Sequence, residues 1–533
     1  MTERREQSAQ ERSGWAPMRF SGFRALWLAQ FTSNVGSWMQ TVAAQWLMVS
    51  LTSSTVLLSA IPAAASLPVL LLAVPAGVLG DIVDRRRLIF GAQLAMLLAA
   101  VALGVFAAAG WLTPWLLLAL LFAIGCGGAL SAPTWQTLQP ELVPPENRSQ
   151  AIALGSVNQN LARAVGPAIG GALLAATSAS IVFAANAASF LAVLAAVALI
   201  TVPPRIAASQ PREHAVAAAR AGGRFVLNAP DLLALLMRSV AFVFFAGAIW
   251  ALLPLVARGQ LGLGSAGYGG LLACVGVGAI GAATYGPVIK RRFAGRVIYA
   301  ASCLVIGVAA VVLGTTTEVA VAVVALVAAG AAWIMGIGLL GAAYQGSMPG
   351  WVKARGISYY LIAFQGSNAI GALVVGSIAQ ASSVKTAFAV IGGALAIAAV
   401  VTWRLPLPTG DHAAMPAEPL PLPDIDTDPR EGPVVVTVRY RLAAGNADAF
   451  LAETRALRRS RRRTGASSWR LTRSAEEPEL FTEEFVVGSW EEHERQHARL
   501  EATDAALLGR LDALLAPGEV RTARHAFGVQ PPR

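Results

Sequence analysis

Three clusters in this chain have the residue types and spacing to move charge or do chemistry. In the first, Gly77 is followed by Asp81, Asp84, Arg85, Arg86 and Arg87, between two uncharged apolar runs at 55–79 and 88–110. Carboxylates beside arginines at the edge of such runs can form and release ion pairs, and the glycine lets the backbone turn tightly. The second is Arg163, in a stretch that has been uncharged since Arg148. On a helix that separation is about 22 Å, deep enough in an apolar layer that the charge must be paired or wet. The third is His493-Glu494-Arg495-Gln496-His497, the His-Glu-x-x-His spacing of metal-assisted hydrolysis. Its surroundings are short and strongly charged, and only Glu519 and His525 follow as loose third ligands. No metal, cofactor or catalytic residue is therefore expected.

Further polar groups lie inside apolar stretches: Gln30, Asn34 and Gln40; Trp135 and Gln136; Asn158 to Asn160; Asn186; Trp250; Gln365 and Asn368. Singly, each reads as glue between helices. Together, Asn34, Trp135, Gln136, Asn158, Arg163, Trp250, Gln365 and Asn368 are the candidates for bordering a cavity that takes a large, amphipathic, hydrogen-bonding small molecule.

Composition says what holds these groups in place. Of 533 residues, 56% are hydrophobic and 13% charged, with mean hydropathy +0.59. Soluble proteins carry about 25% charged residues, so most of this chain lies in lipid. Residues 433–533 are the exception, with 16 basic and 14 acidic side chains. The net charge of +11 sits mainly in short loops, which suits membrane orientation and not a nucleic-acid partner. Cys126, Cys274 and Cys303 fall in apolar segments as packing residues, and the polar, basic residues 1–22 do not read as a cleavable signal.

Twelve apolar segments are expected, near 24–48, 56–79, 88–110, 114–138, 150–175, 180–202, 232–256, 267–288, 297–315, 319–345, 356–380 and 385–403. Loops on one side carry Arg85 to Arg87, Arg148, Arg205, Arg220, Lys290 to Arg292, Lys353 and Arg355, whereas the other side has only Arg258 and Lys385. The basic side is cytoplasmic, so both termini face the cytoplasm. The domain plan is a six-helix half at 1–202, a central loop at 203–231, a second six-helix half at 232–404, a proline-rich extended linker at 405–432 and a soluble domain at 433–533.

The charged strip resembles the loop between helices 2 and 3 of the major facilitator superfamily, with Asp84 and Ile82 departing from the usual pattern. Gly166-Pro167-Ala168-Ile169-Gly170-Gly171 resembles that superfamily's helix-5 motif, although Ala153 and Ala162 replace its earlier glycines. Pro133-Thr134-Trp135-Gln136, Pro140-Glu141-Leu142-Val143-Pro144 and Leu253-Pro254-Leu255-Val256-Ala257-Arg258 resemble the enterobactin-exporter-like, transmembrane secretion effector branch, over about residues 15–405. This resemblance implies an all-α bundle of two six-helix halves in a bacterial inner membrane, exporting siderophores, antibiotics or drug-like molecules by alternating access. It also implies that Gly77, Asp81 and the following charges act as a conformational latch. Proton-driven antiport is implied by the resemblance alone, since no Asp or Glu falls in the middle of any segment. The bland alternatives are a topology-enforcing turn for the strip and a structural role for Arg163.

From Val434 the pattern turns to period two, then reads as a helix at 447–463, strands near 467–473 and 480–487, a helix from Trp490 to Leu515 and a strand near 519–527. That β-α-β-β-α-β order is ferredoxin-like. It resembles the dimeric α+β barrel of antibiotic-biosynthesis-monooxygenase-like domains, which implies pairing through 433–533. The functional expectation is a transporter and not an enzyme. The alternatives are a membrane-tethered enzyme whose tail acts on the cargo, or a non-transporting sensor.

Overall fold

The computed structural model describes residues 14–200, 215–404, 407, 423, 425 and 427–528, apart from the side chains at 73, 74, 77, 78, 80–82, 215–220, 350 and 354. The described residues divide into two compact units. One draws on Met1–Pro211, Arg238–Leu340 and Leu361–Leu407, the other on Arg212–Met237, Gly341–Tyr360 and Pro408–Arg533.

The first unit is helical. Its elements are α1 (Ser21–Leu51), α2 (Thr55–Ile82), α3 (Arg85–Ala108), α4 (Pro114–Glu141), α5 (Arg148–Ala176) and α6 (Ala179–Leu199), then α8 (Pro230–Ala246), α9 (Ala248–Leu255), α10 (Ser265–Arg292), α11 (Gly295–Thr315), α12 (Val319–Gly346), α13 (Gly350–Ala381) and α14 (Val384–Arg404). Residues of α8, α12 and α13 also contribute to the second unit. Among the described residues, ten helices are long and apolar enough to cross a membrane. Ser21–Leu51 and Arg148–Ala176 are long but outside that set, because they carry Gln30, Asn34, Gln40 and Gln45, and Asn158, Gln159, Asn160 and Arg163. A wide helical bundle keeps its backbone satisfied in lipid, and its apolar faces pack: Met48, Leu103, Leu121, Phe183 and Phe190 share one buried cluster. Ser54 caps α2 by accepting from the Leu57 amide, and Thr113 caps α4 by accepting from that of Leu116.

One expectation holds and another is corrected. The segment at 232–256 lies in one apolar span, Pro230–Gln260, in which α8 and α9 meet at Gly247 with its backbone still helical, and which ends in a π-helical turn, Val256–Gln260. Only glycine fits at 247, since a Cβ there would stand 2.4 Å from Asn368 Oδ1. The central loop, in turn, contains α7 (Ala215–Asn228), an alanine-rich amphipathic helix. Residues 201–214 and most of the linker at 405–432 lie outside the described residues.

In the second unit the tail folds as β1 (Val434–Arg441), α15 (Ala447–Thr464), β2 (Ser468–Arg473), β3 (Leu480–Val487), α16 (Trp490–Ala498), α17 (Ala502–Asp512) and β4 (Thr522–Phe527). The antiparallel sheet has strand order β2-β3-β1-β4. Val434, Val436, Val438 and Tyr440 face inward opposite Val487, Phe485, Glu483 and Phe481, and with Phe450, Leu457, Trp490 and Leu511 they form a core of the tail's own. The expected single helix from Trp490 to Leu515 is two. The chain breaks where Glu501 and Asp504 form a capping box that starts α17.

Candidate functional site

A cavity of about 570 Å³ opens among α1, α3, α4, α5 and α6 of the first unit. Its wall carries Gln30, Ser33, Asn34 and Ser37 from α1, Trp135, Gln136 and Gln139 from α4, and Ser156 and Gln159 from α5. No charged side chain lines it. Such a wall presents hydrogen-bond donors and acceptors plus one indole, so it suits a neutral polar or amphipathic guest. Second contacts hold the wall: Gln139 donates to Gln30, and Asn34 Nδ2 donates to Asn158 Oδ1 at 2.8 Å.

Sequence reasoning missed Gln93 on α3. It lines the cavity, is 5% exposed, and its Oε1 has no partner among the described residues. An unmet buried acceptor is costly, and the only signal for it in the sequence was an amide in an apolar run. Asn158, by contrast, is fully buried and spent: beyond Asn34, its Nδ2 donates to the Trp27 carbonyl at 2.8 Å. Its neighbour Gln159 is the one on the cavity wall. Arg163 is one helical turn beyond Gln159; it is exposed, with its guanidinium 5.5 Å from the Trp38 ring. It is not among the residues lining this cavity.

From the second half, Trp250 meets Trp333 edge-on at 5.9 Å, and Trp333 stacks on Phe242 at 5.8 Å and touches Phe364 at 6.4 Å. Gln365 is half-buried next to this aromatic cluster in sequence, and Asn368 Oδ1 faces Gly247. Trp333, at the centre, was not singled out from sequence.

Helices within 21–199 touch helices within 248–381 at the ends away from the basic loops. Gln45 accepts from Tyr268 and donates to the Trp250 carbonyl at 3.4 Å, while Thr55 donates from its amide to Gln380 at 2.7 Å and from its hydroxyl to the Gly376 carbonyl at 2.8 Å. The helix-5 motif produces two more close approaches. A Cβ on Gly166 would lie 2.6 Å from Trp38, and one on Gly170 2.6 Å from Met39, so α5 sits tight on α1. Gly171 meets α10, where a Cβ would lie 2.7 Å from Gly269 Cα, and the Pro167 carbonyl faces Gly269 as closely.

At the basic end, Asp84 caps α3, its Oδ1 accepting from the Arg87 amide at 3.0 Å. Arg85 pairs with Glu141 at the end of α4, and Arg86 donates to the Ala198 carbonyl of α6, where a cation also meets the helix dipole. Arg85 and Arg86 thus bind within the first half. The side chains of Gly77 and Asp81 lie outside the described residues.

The tail holds a buried charge cluster. Glu483, with no exposure, accepts from Arg461 at 3.0 and 3.2 Å, from the Tyr440 hydroxyl at 2.8 Å and from Trp469 Nε1 at 2.8 Å. Burial works against the Arg461 cation, but Glu483 and Tyr440 outweigh it and raise its pKa; burial and Glu483 likewise raise that of Tyr440. Every strong acceptor site here is met, which makes the cluster a structural rivet. In the His-Glu-x-x-His run, His493 is buried, its Nδ1 3.1 Å from Gln496 Oε1 and its ring 4.8 Å from those of His497 and His525. Burial, then the two neighbouring imidazoles, push His493 down to about 3. Among the described residues no group of side chains is placed to hold a metal ion.

The first unit is thus a bundle of long apolar helices with a polar interior cavity. The fold matches that of the bacterial homologue of the lysosomal transporter Spinster in an inward-facing, occupied state (TM-score 0.60, 16% identity, 74% of this chain and 97% of that one). It also matches the nucleoside transporter NupG (TM-score 0.58, 12% identity, 72% and 99%). Residues 12–530 match the family described as transmembrane secretion effector, and the chain belongs to that family of the major facilitator superfamily. Its relatives include the MFS-type transporter YfiS of Bacillus subtilis (29% identical; 42% of this chain, 53% of the relative). Macrolide efflux protein A of Streptococcus pyogenes (24%; 44% and 58%) and the staphyloferrin A transporter of Staphylococcus aureus (28%; 31% and 42%) are also similar. The chain spans about half the length of the curated relatives it matches. The relatives carry the names of transporters, and this chain shares their family and has the apolar helices of an integral membrane protein.

Proposed function

We propose that this protein exports small amphipathic molecules from a bacterial cytoplasm by alternating access. In this reading the inner membrane is crossed twelve times, as two six-helix halves with both termini cytoplasmic, and the tail is a ferredoxin-like domain. The polar helices Ser21–Leu51 and Arg148–Ala176 count as spans because Gln30, Ser33, Asn34, Ser37, Ser156 and Gln159 line the cavity. The tail assignment is supported by the strand order β2-β3-β1-β4 with every neighbour antiparallel.

The observation that carries the reading is the uncharged, amide-lined cavity of about 570 Å³ in a chain whose halves hydrogen-bond at the end away from the basic loops. Cargo enters from the cytoplasm and meets Asn34, Gln136 and Gln159, with Trp135 supplying an aromatic face. Trp250, Gln365 and Asn368 complete the site as the halves rock. Arg163 on Trp38, one helical turn beyond Gln159 on the cavity wall, takes the anionic part of a cargo that has one, as a siderophore would. Gly77, Asp81 and the charges after them serve as the latch at the inner mouth. A coupling proton, which the superfamily resemblance implies, has Glu141 as the carboxylate nearest the cavity wall in sequence, directly after Gln139 and Pro140. Residues 433–533 allow pairing of two chains. Expression in a pump-deficient host tests the reading: resistance to macrolides or release of siderophore should rise, and Gln136→Ala with Gln159→Ala should cancel the gain. Unchanged accumulation of every tested compound with correctly inserted protein would contradict it.

A further inference from the structure

One face of α15 is used by nothing described so far. Arg455, Arg458, Arg459 and Arg462 stand at helical spacings of three and four, so they share a single stripe, and the exposed Leu451 lies on the same arc. The opposite face buries Phe450, Leu457, Arg461 and Thr464 in the tail. Other arginines of this helix and of α16–α17 are occupied: Arg461 by Glu483, Arg463 by Glu501 and Asp504, Arg510 by Glu453. None of the described ion pairs uses the four stripe residues, and Arg462 Nε is buried without a hydrogen-bond partner. Like charges at these spacings weaken a helix, so the stripe is a cost to the fold taken alone.

Within the second unit this helix lies against α7, and the tail also meets the start of α13; both segments lead into apolar spans. Arg463 lies 5.7 Å over the Phe225 ring of α7, and Arg499 4.3 Å over Trp351 at the start of α13. Phe225 and Trp351 meet edge-on at 5.4 Å. Asn228 ends α7 just before Pro230 opens α8, and α13 runs on into an apolar span. Lys353 at that start is exposed too. A helix with four arginines outside the described ion pairs and one exposed leucine, held against a juxtamembrane helix, has the chemistry of an anionic-surface contact.

We propose that the α15 stripe docks on the headgroups of anionic phospholipids, tying the tail to the leaflet next to it. The test is hydrogen exchange on the full-length protein in nanodiscs of phosphatidylglycerol with phosphatidylethanolamine, against nanodiscs of phosphatidylcholine. Both leaflets are open in a nanodisc, so the outcome does not depend on cargo or on membrane orientation. Exchange over 451–463 should slow at least about tenfold in the anionic discs, because each arginine shifts the docked-to-undocked ratio by roughly fivefold. Replacing all four (R455Q, R458Q, R459Q, R462Q) should remove the difference, with protection of β1 reporting that the tail is still folded. Should that variant lose β1 protection, the wild-type protein decides by salt: the lipid effect must vanish when the Debye length falls to about 3 Å. Equal exchange in both lipids would overturn the proposal. So would persistence in the folded quadruple variant or at high salt, or the same protection from inorganic phosphate or duplex DNA added to neutral discs.

Discussion

Gly171 offers the sharpest perturbation of the conformational cycle. A Cβ there would stand 2.7 Å from Gly269 Cα and 2.9 Å from the Ser265 carbonyl. Carbon atoms rest at about 3.5–4.0 Å, so Gly171→Ala must push α5 and α10 apart by roughly 1 Å in the state seen here. Overpacking of that kind costs about 1–3 kcal/mol, and the cost vanishes once the halves separate at this end. The ratio of closed to open should therefore fall by roughly fivefold to 150-fold. The assay replaces Cys126, Cys274 and Cys303, introduces cysteine at Thr55, whose native side chain bonds Gly376 and Gln380, and measures its modification by an impermeant reagent. Gly171→Ala should speed labelling by that factor, and Gly269→Ala should do the same without adding fully, because both remove one contact. Unchanged labelling in a well-expressed Gly171→Ala protein would refute the idea that this glycine pair sets the closure.

Three further outcomes are expected. Asp81→Asn should slow flux in reconstituted vesicles while leaving insertion intact, since it removes charge and almost no volume; wild-type flux would argue for a plain turn. Arg163→Lys should impair transport more than expression by losing the planar contact with Trp38, and Arg163→Gln should abolish export of an anionic cargo; a cysteine at 163 that never reacts with a water-soluble reagent would make the residue structural. Isolated 430–533 should be soluble, dimeric and free of stoichiometric zinc, and it should lose stability on acidification. His493 is held neutral at pH values where the unfolded chain would protonate, so stability falls as pH drops from 6.5 towards about 3, by about 1.4 kcal/mol per pH unit. His493→Gln should flatten that slope in urea titrations. A slope unaffected by this variant, or one tightly bound zinc per chain, would count against the reading.

Much of the fold is legible because lipid simplifies the problem. Apolar length alone places 56–79 on α2 (Thr55–Ile82) and 88–110 on α3 (Arg85–Ala108), and period-two alternation places 480–487 on β3. Illegible features are those set by partners far away in sequence. The need for glycine at 247 is set by Asn368, and the break before α17 by a Glu501–Asp504 box with no glycine or proline to mark it. Glu483 sits at an inward position of β3 that alternation reserves for an apolar side chain, and only Arg461, Tyr440 and Trp469 make that tolerable. The candidate site shows the same limit. Asparagines 158 and 160 and glutamine 159 are equivalent as letters, yet Asn158 is spent on α1 and Gln159 lines the cavity. Gln93 emerges only when its unmet Oε1 is seen against that space.

The most direct test of the central claim is cargo flux in proteoliposomes of known orientation. Purified protein should move a macrolide or siderophore from the side bearing the basic loops to the other, and Gln136→Ala with Gln159→Ala should reduce that flux at least about tenfold with the protein still folded. No directional flux of any such compound by the wild-type protein, or full flux in the cavity variant, would contradict it.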